Sequence, residues 1–256
     1  MLSAFDIKTL DQQSVDIFEA YSEKNLLYLD SGAYESYHEN VSWDFSGYFE
    51  GLSRIRFDIL TAFDRIPSAD ETNTIAEMKK ELLATNELVK GGRKTLVLHG
   101  TKDDKLKDLE GLISELKNEF DILGVPETMC GRGIEGISTI RRLRTFMDKE
   151  GIIKPIHIFG CGKLAFILQF VEAGADIFDA NSWMFNIYNT SKLFSKDMTK
   201  EEFPFCTCES CRSQQFRSGG VTKKYSHNFL AIKKGMELIR QSIIDNQLIN
   251  LINHED

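Results

Sequence analysis

The sequence has few cysteines, no long apolar run and no excess of basic residues, and each shortage narrows the class of protein. Only five of 256 residues are cysteine, and only Cys130 and Cys161 stand outside one tight cluster. That usage fits a reducing compartment better than a secreted scaffold held by disulfides. No apolar stretch is long enough to cross a bilayer, and the N-terminus lacks the basic-then-apolar pattern of an export signal. We therefore expect a cytoplasmic protein without a membrane partner.

The formal net charge is −8, so the chain has no general surplus of cations. Phosphate binding requires clustered Lys and Arg, and the acidic balance argues against a surface coated by nucleic acid. A local basic groove remains open, although a solvated face is the ordinary interpretation of such charges. The two patches are Arg141, Arg142 and Arg144, and beside the cysteines Arg212, Arg217, Lys223 and Lys224.

Three cysteines and a histidine form the most informative cluster of the sequence. Cys206, Cys208 and Cys211 stand in FPFCTCESC, and His227 follows in KKYSHNF. Three thiols within six residues cannot all pair with one another, whereas thiolates and imidazole are the ligands of tetrahedral zinc. Because four protein ligands fill the tetrahedron, we expect a structural Zn²⁺, with the chemistry elsewhere.

Short apolar runs typical of strands alternate with longer helical patterns, which predicts a parallel sheet. We expect a long amphipathic helix to follow His227. The strand-like runs lie at 26–30, 57–64, 95–100, 120–125, 155–160 and 175–180, with a weaker one at 2–7.

Nearly every run ends in a reactive or small residue, which favours a (β/α)₈ TIM-type barrel, where such residues converge on one site. An open doubly wound sheet would spread them along an edge and is the alternative. We expect a barrel over residues 1–200, trimmed at the N-terminus. A zinc-binding segment and the C-terminal helix would occupy residues 201–256 and pack on the barrel.

Three aspartates stand at the ends of predicted strands: Asp30, Asp64 and Asp179. Each alone is more often a turn former or a helix cap than a catalyst. Convergent carboxylates, however, can divide the roles of nucleophile, general acid/base and acceptor for a base.

These stretches, in this order, resemble the tRNA-guanine transglycosylases, which are the queuine and archaeosine enzymes, and their relatives that act on DNA. The resemblance spans about residues 26–245 and rests on ordered aspartates and on the zinc pattern. The matching stretches are LDSGAY at 29–34, AFDRIP at 62–67, LHGT at 98–101, FGCG at 159–162 with GADIFDA at 174–180, and CTCESC with His227.

The resemblance implies a role for each aspartate. Asp179 would be the nucleophile that attacks C1′ of a guanosine and expels guanine, leaving a covalent glycosyl-enzyme. Asp30 would be the general acid/base. Asp64 would accept hydrogen bonds from N1–H and N2–H₂ of guanine or a 7-deazaguanine, which excludes adenine.

The same resemblance implies further contacts to the base. The backbone N–H of Gly131 would reach its carbonyl, and the rings of Tyr34 and Phe159 would sandwich it. His99 stands where the family has Gln and could donate to a purine carbonyl or N7 face. A strand-end histidine satisfied by its neighbours is an equal alternative at that position.

Departures from the family bear on the substrate. The basic PTR-x-x-R element of the family is replaced by NSWMFNIYN at 181–189, and the interval from Cys211 to His227 is short. The missing basic element and the short chain favour DNA over tRNA as the polynucleotide. We expect a guanine transglycosylase acting on DNA or tRNA with a 7-deazaguanine base, as a homodimer or beside a partner subunit.

Two other classes of function remain open. The family also includes non-catalytic, zinc-bearing subunits, but an inactive scaffold has no need for three strand-end carboxylates. An unrelated (β/α) metabolic enzyme would need a phosphate-binding glycine loop, and GCGK at 160–163 is a weak match to one.

Overall fold

Strands and helices alternate along the chain, as the sequence pattern predicts. This computed structural model describes residues 1–66, 75–100, 106–130, 134–195, 197–213, 221–248 and 251. The strands are β1 (Leu2–Ser3), β2 (Tyr28–Asp30), β3 (Ile59–Thr61), β4 (Arg93–Val97), β5 (Ile122–Pro126), β6 (Ile156–Phe159) and β7 (Ile177–Phe178). The helices are α1 (Ala4–Thr9), α2 (Gln12–Ser22), α3 (Ala33–Glu39), α4 (Phe45–Leu52), α5 (Ile75–Leu88), α6 (Leu106–Glu115), α7 (Glu127–Cys130), α8 (Ile134–Lys149), α9 (Leu164–Glu172), α10 (Glu209–Arg212) and α11 (Val221–Ile244).

The seven strands form one parallel sheet, and their order in space is their order in the chain. Each strand therefore adds beside the previous one, with pairs such as Leu29 with Leu60 and His157 with Ile177 in register. A doubly wound sheet reverses its strand order at a switch point. The described strands have no such reversal, so the open doubly wound alternative does not describe this sheet.

The sheet is curled rather than flat. The hydroxyl of Tyr28 on β2 lies 3.0 Å from Nδ1 of His157 on β6. Four strand spacings separate these strands, which would be about 19 Å in a flat sheet. The concave face therefore closes on itself, as in part of a barrel.

The predicted eight-stranded closure is not found within the described parts of the chain. They contain seven strands, and β7 pairs with β6 but not with β1. β7 is only two residues long, and a 3-10 turn at Ser182–Met184 follows it closely. The observed architecture is thus a curled parallel sheet with helices, compatible with a trimmed barrel.

Two apolar clusters on the convex side hold the helices to the sheet. The larger joins α5, α6, α8 and α9 to strands such as β4, where Leu96 and the residue directly after the strand, Leu98, are buried against the helices. In α6 the buried positions Leu106, Leu109 and Ile113 follow the helical period. The smaller cluster joins α1 and α4 to β1, β2 and β3. Because the apolar side chains are buried between the helices and the convex side of the sheet, the concave face can carry polar residues.

Two local predictions were wrong. The weak run at 2–7 is a strand only at Leu2–Ser3 and is helical from Ala4. The C-terminal helix does not follow His227 but begins at Val221, so the histidine is part of it. This helix packs on α9, where Gly235 permits close approach, since a Cβ there would lie 2.7 Å from both methyls of Leu164. None of the described helices could span a membrane.

Candidate active site and metal centre

The three predicted aspartates lie at the carboxyl ends of their strands, which share one rim because the sheet is parallel. Asp30 is the last residue of β2, Asp64 follows β3, and Asp179 directly follows β7. Burial raises the pKa of Asp30 to about 8, and the charges of Asp64, Glu35 and Asp179 contribute to that rise. The three carboxylates therefore lie along one rim, close enough for Asp64 and Asp179 to raise the pKa of Asp30.

Glu35 is a fourth carboxylate of this group, and sequence reasoning noted it only as a departure from the family. It accepts a hydrogen bond of 3.0 Å from Oγ of Ser3. Burial raises the pKa of Glu35, and the charges of Asp6 and Asp179 add to the increase. The rim is therefore strongly acidic.

Asp64 and His99 form a buried pair. Nε2 of His99 lies 2.7 Å from Oδ2 of Asp64, and the residues are only 3% and 7% exposed. Oδ1 of Asp64 and Nδ1 of His99 have no hydrogen-bond partner among the described residues. Buried polar atoms are nearly always paired, so each of these two unpartnered atoms calls for a polar partner that the described residues do not supply.

Glu81 on α5 lies behind this pair and was not predicted. Its Oε1 accepts a hydrogen bond of 3.1 Å from Nε of Arg65. Burial raises the pKa of Glu81 to about 7, partly offset by the hydrogen bond from Arg65 and reinforced by the charge of Asp64. It adds to the negative field around Asp64.

His157 contacts Asp179 and was missed by the sequence analysis. Its Nε2 lies 2.9 Å from Oδ1 of Asp179, and its Nδ1 lies 3.0 Å from the hydroxyl of Tyr28. The hydroxyl of Tyr28 lies 2.6 Å from Oγ1 of Thr95. The alternation of PIHIFG was an available signal, because His157 and Phe159 must point to the same face of β6.

The predicted base-binding aromatics occupy different surroundings. The ring of Phe159 lies 4.0 Å from that of His157, between centroids, and covers Gly124 of β5. Tyr34 on α3 is 51% exposed, with its ring 4.2 Å from that of His38. A sandwich of Tyr34 and Phe159 around a base stays a prediction. Gly131 lies outside the described residues, so its role is likewise still a prediction.

The cysteine and histidine cluster has the geometry of a metal site. The Nδ1 atom of His227 lies 3.6, 3.2 and 3.4 Å from the sulfurs of Cys206, Cys208 and Cys211. All four donor atoms lie within 4.8 Å of one another. Ligand bonds of 2.0 to 2.3 Å in a tetrahedron place donors about 3.5 to 3.8 Å apart, so these residues fit zinc.

His227 is oriented for this role by a second contact. Its Nε2–H donates a hydrogen bond of 2.7 Å to the carbonyl oxygen of Tyr188, which leaves the Nδ1 lone pair facing the sulfurs. Burial lowers the pKa of His227, which favours the neutral imidazole that binds metals.

Asn228 ties the metal centre to the segment that follows Asp179. Its Oδ1 accepts from N–H of Tyr188 at 3.0 Å, and its Nδ2 donates to the carbonyl oxygens of Trp183 and Asn186 at 2.6 and 2.7 Å. The first turns of α11 therefore hold both His227 and the chain leading from Asp179.

The two basic patches differ in the contacts that their cations make. Each arginine of the first patch forms an ion pair, Arg141 with Glu172, Arg142 with Glu110 and Arg144 with Asp176. That patch is therefore a neutralised helix face. In the second patch, Lys223 and Lys224 stand in the first turn of α11 over the rings of Phe203 and Tyr225. Arg217 lies outside the described residues.

Comparison with known proteins supports the resemblance that the motifs predicted. No family model matches the chain. It is 24% identical over 249 residues to the tRNA-guanine(15) transglycosylase of Archaeoglobus fulgidus, covering 87% of this chain and 50% of that protein. It is 28% identical over 217 residues to the enzyme of the same name from Methanococcus maripaludis, covering 76% and 32%. The chain thus spans half or less of these relatives, and the predicted resemblance to the tRNA-guanine transglycosylase superfamily is confirmed.

Proposed function

We propose that this chain is a guanine transglycosylase, a pentosyltransferase that replaces a guanine base in a polynucleotide with a 7-deazaguanine. The observation that carries the proposal is the group of carboxylates at one rim, in which Asp64 and Asp179 act electrostatically on Asp30. Two relatives named tRNA-guanine(15) transglycosylase add independent support.

The first half of the reaction uses Asp179 and Asp30. A carboxylate oxygen of Asp179 attacks C1′ of the target guanosine while the bond from C1′ to N9 breaks and its electron pair leaves with the base. Asp30 gives its proton to the departing guanine. The pKa of about 8 supports this role, because an aspartic acid of that pKa is still protonated at neutral pH.

The second half reverses these steps with a different base. The carboxylate of Asp30 takes the proton from N9 of the incoming 7-deazaguanine, and N9 attacks C1′ of the glycosyl-enzyme. The ester bond breaks and its electron pair returns to Asp179. Two displacements at C1′ retain the configuration of the nucleoside.

Base recognition is assigned to Asp64 and His99. Guanine presents N1–H and N2–H₂ donors together, and the unpartnered Oδ1 of Asp64 can accept from that edge. His99 holds Oδ2 of Asp64 and would thereby orient Oδ1 toward the base. Stacking by Tyr34 and Phe159, and a hydrogen bond from Gly131, would complete the pocket.

The curled sheet is, in this proposal, a trimmed (β/α)₈ barrel over residues 1–200. The sequential strand order and the contact from β2 to β6 across the concave face support it. Residues 201–256 would form the zinc-binding segment with α11 on the barrel.

Cys206, Cys208, Cys211 and His227 would hold a structural Zn²⁺. Bound zinc supplies folding free energy to a segment with little core of its own. Through Asn228 the same segment supports the chain after Asp179. The cations of α11 would then face the phosphate backbone of the polynucleotide.

DNA is the favoured polynucleotide. The segment after Asp179 carries NSWMFNIYN and no cation, whereas a basic element is expected in an enzyme built for tRNA. The names of the relatives point to tRNA for those proteins, so both substrates require testing.

The deciding experiment incubates the protein with radiolabelled guanine and separate pools of duplex DNA and tRNA. We expect label in DNA, with no label for Asp179→Asn. Label in tRNA alone would assign the tRNA-directed activity. Failure to label either pool, by a folded protein with bound zinc, would contradict catalysis and favour a zinc-bearing subunit of a larger complex.

A further inference from the structure

A chain of hydrogen bonds crosses the concave face of the sheet and ends on Asp179. It runs from Thr95 on β4 to Tyr28 on β2 at 2.6 Å, then to His157 on β6 at 3.0 Å, and to Asp179 at 2.9 Å. His157 is 1% exposed, so water does not compete for its ring nitrogens. Interiors of such barrels are usually filled by branched apolar side chains, and this polar chain departs from that pattern.

The direction of each hydrogen bond follows from its acceptor. The carboxylate of Asp179 only accepts, so Nε2 of His157 carries the proton and donates. In the tautomer that carries its only proton on Nε2, Nδ1 accepts from the hydroxyl of Tyr28, whose oxygen then accepts from Thr95. Burial raises the pKa of Tyr28 well above its ordinary value, which keeps this hydroxyl protonated. Asp179 therefore sets the tautomer of His157, and the hydroxyl of Tyr28 supports it by holding Nδ1.

We infer that His157 is a positioning residue for the nucleophile Asp179, an inference that rests on the proposed transglycosylase function. By holding Oδ1, it leaves Oδ2 as the oxygen that attacks C1′. When the glycosyl-enzyme breaks down, the C1′–O bond gives its electron pair back to the carboxylate. The N–H of His157 stabilises that returning negative charge without transferring its proton.

The hydrogen-bond chain that ends on Asp179 predicts how variants of His157 change the kinetics. His157→Leu removes the donor, and we expect kcat to fall about 10- to 100-fold, the usual cost of losing a group that orients a reactive ligand. KM for the base should change less than about threefold, because His157 acts on Asp179 and not on the recognition pair. The covalent adduct should accumulate, because its breakdown requires the stabilised carboxylate.

Conservative variants separate positioning from simple structural support. His157→Gln retains an N–H donor and should recover most of kcat. Tyr28→Phe should give an intermediate loss of kcat, because it removes only the hydroxyl that holds Nδ1 of His157. Tyr48→Phe is the matched control: it deletes another buried hydroxyl, which donates at 2.7 Å to the carbonyl oxygen of Thr61, and should leave kcat unchanged.

A spectroscopic measurement tests the tautomer without relying on activity. In ¹⁵N NMR of the wild-type protein, we expect His157 to be protonated at Nε2 and not at Nδ1. Tyr28→Phe should move the Nδ1 signal to that of a nitrogen without a hydrogen-bond donor, whereas Tyr48→Phe should leave it unchanged. An Nδ1-protonated ring in the wild type would overturn the inference.

The kinetic outcomes distinguish this inference from the proposed function. Wild-type kcat in folded His157→Leu, with Asp179→Asn inactive, would overturn the role of His157 alone. The positioning role of His157 would also be overturned if His157→Leu and His157→Gln lowered kcat equally and neither accumulated the covalent adduct. Absence of exchange and of adduct in the wild-type protein would overturn both. If His157→Leu does not fold, His157→Gln and Tyr28→Phe carry the same comparison against Tyr48→Phe.

Discussion

His99 occupies one oxygen of Asp64: its Nε2 lies 2.7 Å from Oδ2, and both side chains are buried. The sequence predicted that Asp64 would accept two donors from a guanine edge. With Oδ2 engaged, Oδ1 is the oxygen left for that edge, and Nδ1 of His99 lies in the same pair. Under the proposed function, Asp64 at the end of β3 would contact the base while His99 at the end of β4 holds its other oxygen.

Replacement of Asp64 tests this recognition. Asp64→Asn keeps the shape but turns one acceptor into a donor, which faces the donors of guanine. We expect the KM for guanine to rise at least about 10-fold, since a mispaired buried group costs about 1 to 3 kcal/mol. Competition between guanine and adenine for exchange measures the choice of base. Asp148→Asn, on the exposed face of α8, is the control; an unchanged preference in Asp64→Asn would remove Asp64 from the pocket.

The acidic rim also predicts how stability depends on pH. The pKa of Asp30 is raised from 3.8 to about 8 by burial, then by the charges of Asp64, Glu35 and Asp179. Between those values the folded protein keeps a proton on Asp30 that the unfolded chain releases. The contribution of Asp30 to the free energy of unfolding is therefore full below pH 3.8 and is lost as pH rises through about 8. Asp30→Asn should therefore melt above the wild type by a margin that grows from pH 5 to pH 9. Parallel melting curves across that range would contradict the raised pKa.

The strand ends could be predicted from the sequence because the signal is local. An apolar run followed by Asp marks a strand and its polar end, and Asp30, Asp64 and Asp179 all follow that rule. His157 could not be found this way, because its partners Tyr28 and Asp179 lie 129 and 22 residues away along the chain. The sequence shows that His157 shares a face with Phe159, but only the curl of the sheet brings Tyr28 to it.

The sequence did not predict the short helix α4 or the start of α11 near the metal centre. Both depend on contacts with parts of the protein that are distant along the chain. α4 contains Gly47 and Gly51, which weaken any helical preference, yet a Cβ at Gly51 would overlap the carbonyl oxygen of Ala4. Gly51 thus serves close packing against α1. The early start of α11 likewise depends on tertiary contacts, since Asn228 binds the segment after β7.

The metal ligands should control stability rather than chemistry. Cys208→Ala removes one of the four donors, and we expect loss of bound zinc with a lower melting temperature, as chelation should produce in the wild type. Cys161→Ala is the matched control, because Cys161 is a buried cysteine far along the chain from the cluster. The Cys161→Ala protein should still bind one zinc ion per chain. An unchanged melting curve of Cys208→Ala without zinc would contradict the structural role.

The first turn of α11 should contribute to polynucleotide affinity. The double variant Lys223→Glu and Lys224→Glu reverses two cations, and we expect weaker DNA binding together with a shallower dependence on salt. Each lost phosphate contact reduces the slope of log K against log salt by about 0.9. Lys233→Glu with Lys234→Glu, about 15 Å further along the same helix, is the control. Equal effects of the two pairs would indicate general charge repulsion instead of a binding site.

Gly124 provides a test of the stacking surface that replaces no polar group of the site. A Cβ at this position of β5 would overlap the ring of Phe159 and approach Cγ2 of Thr95 to 2.9 Å. Gly124→Ala should therefore displace the ring, and we expect kcat/KM for the incoming base to fall about 10-fold, since stacking on an aromatic ring contributes about 1 to 3 kcal/mol. Gly111→Ala on α6 is the control, because a Cβ there meets nothing within 4 Å. If Gly124→Ala exchanges bases at the wild-type rate while its Phe159 ring has moved, the base does not stack on Phe159.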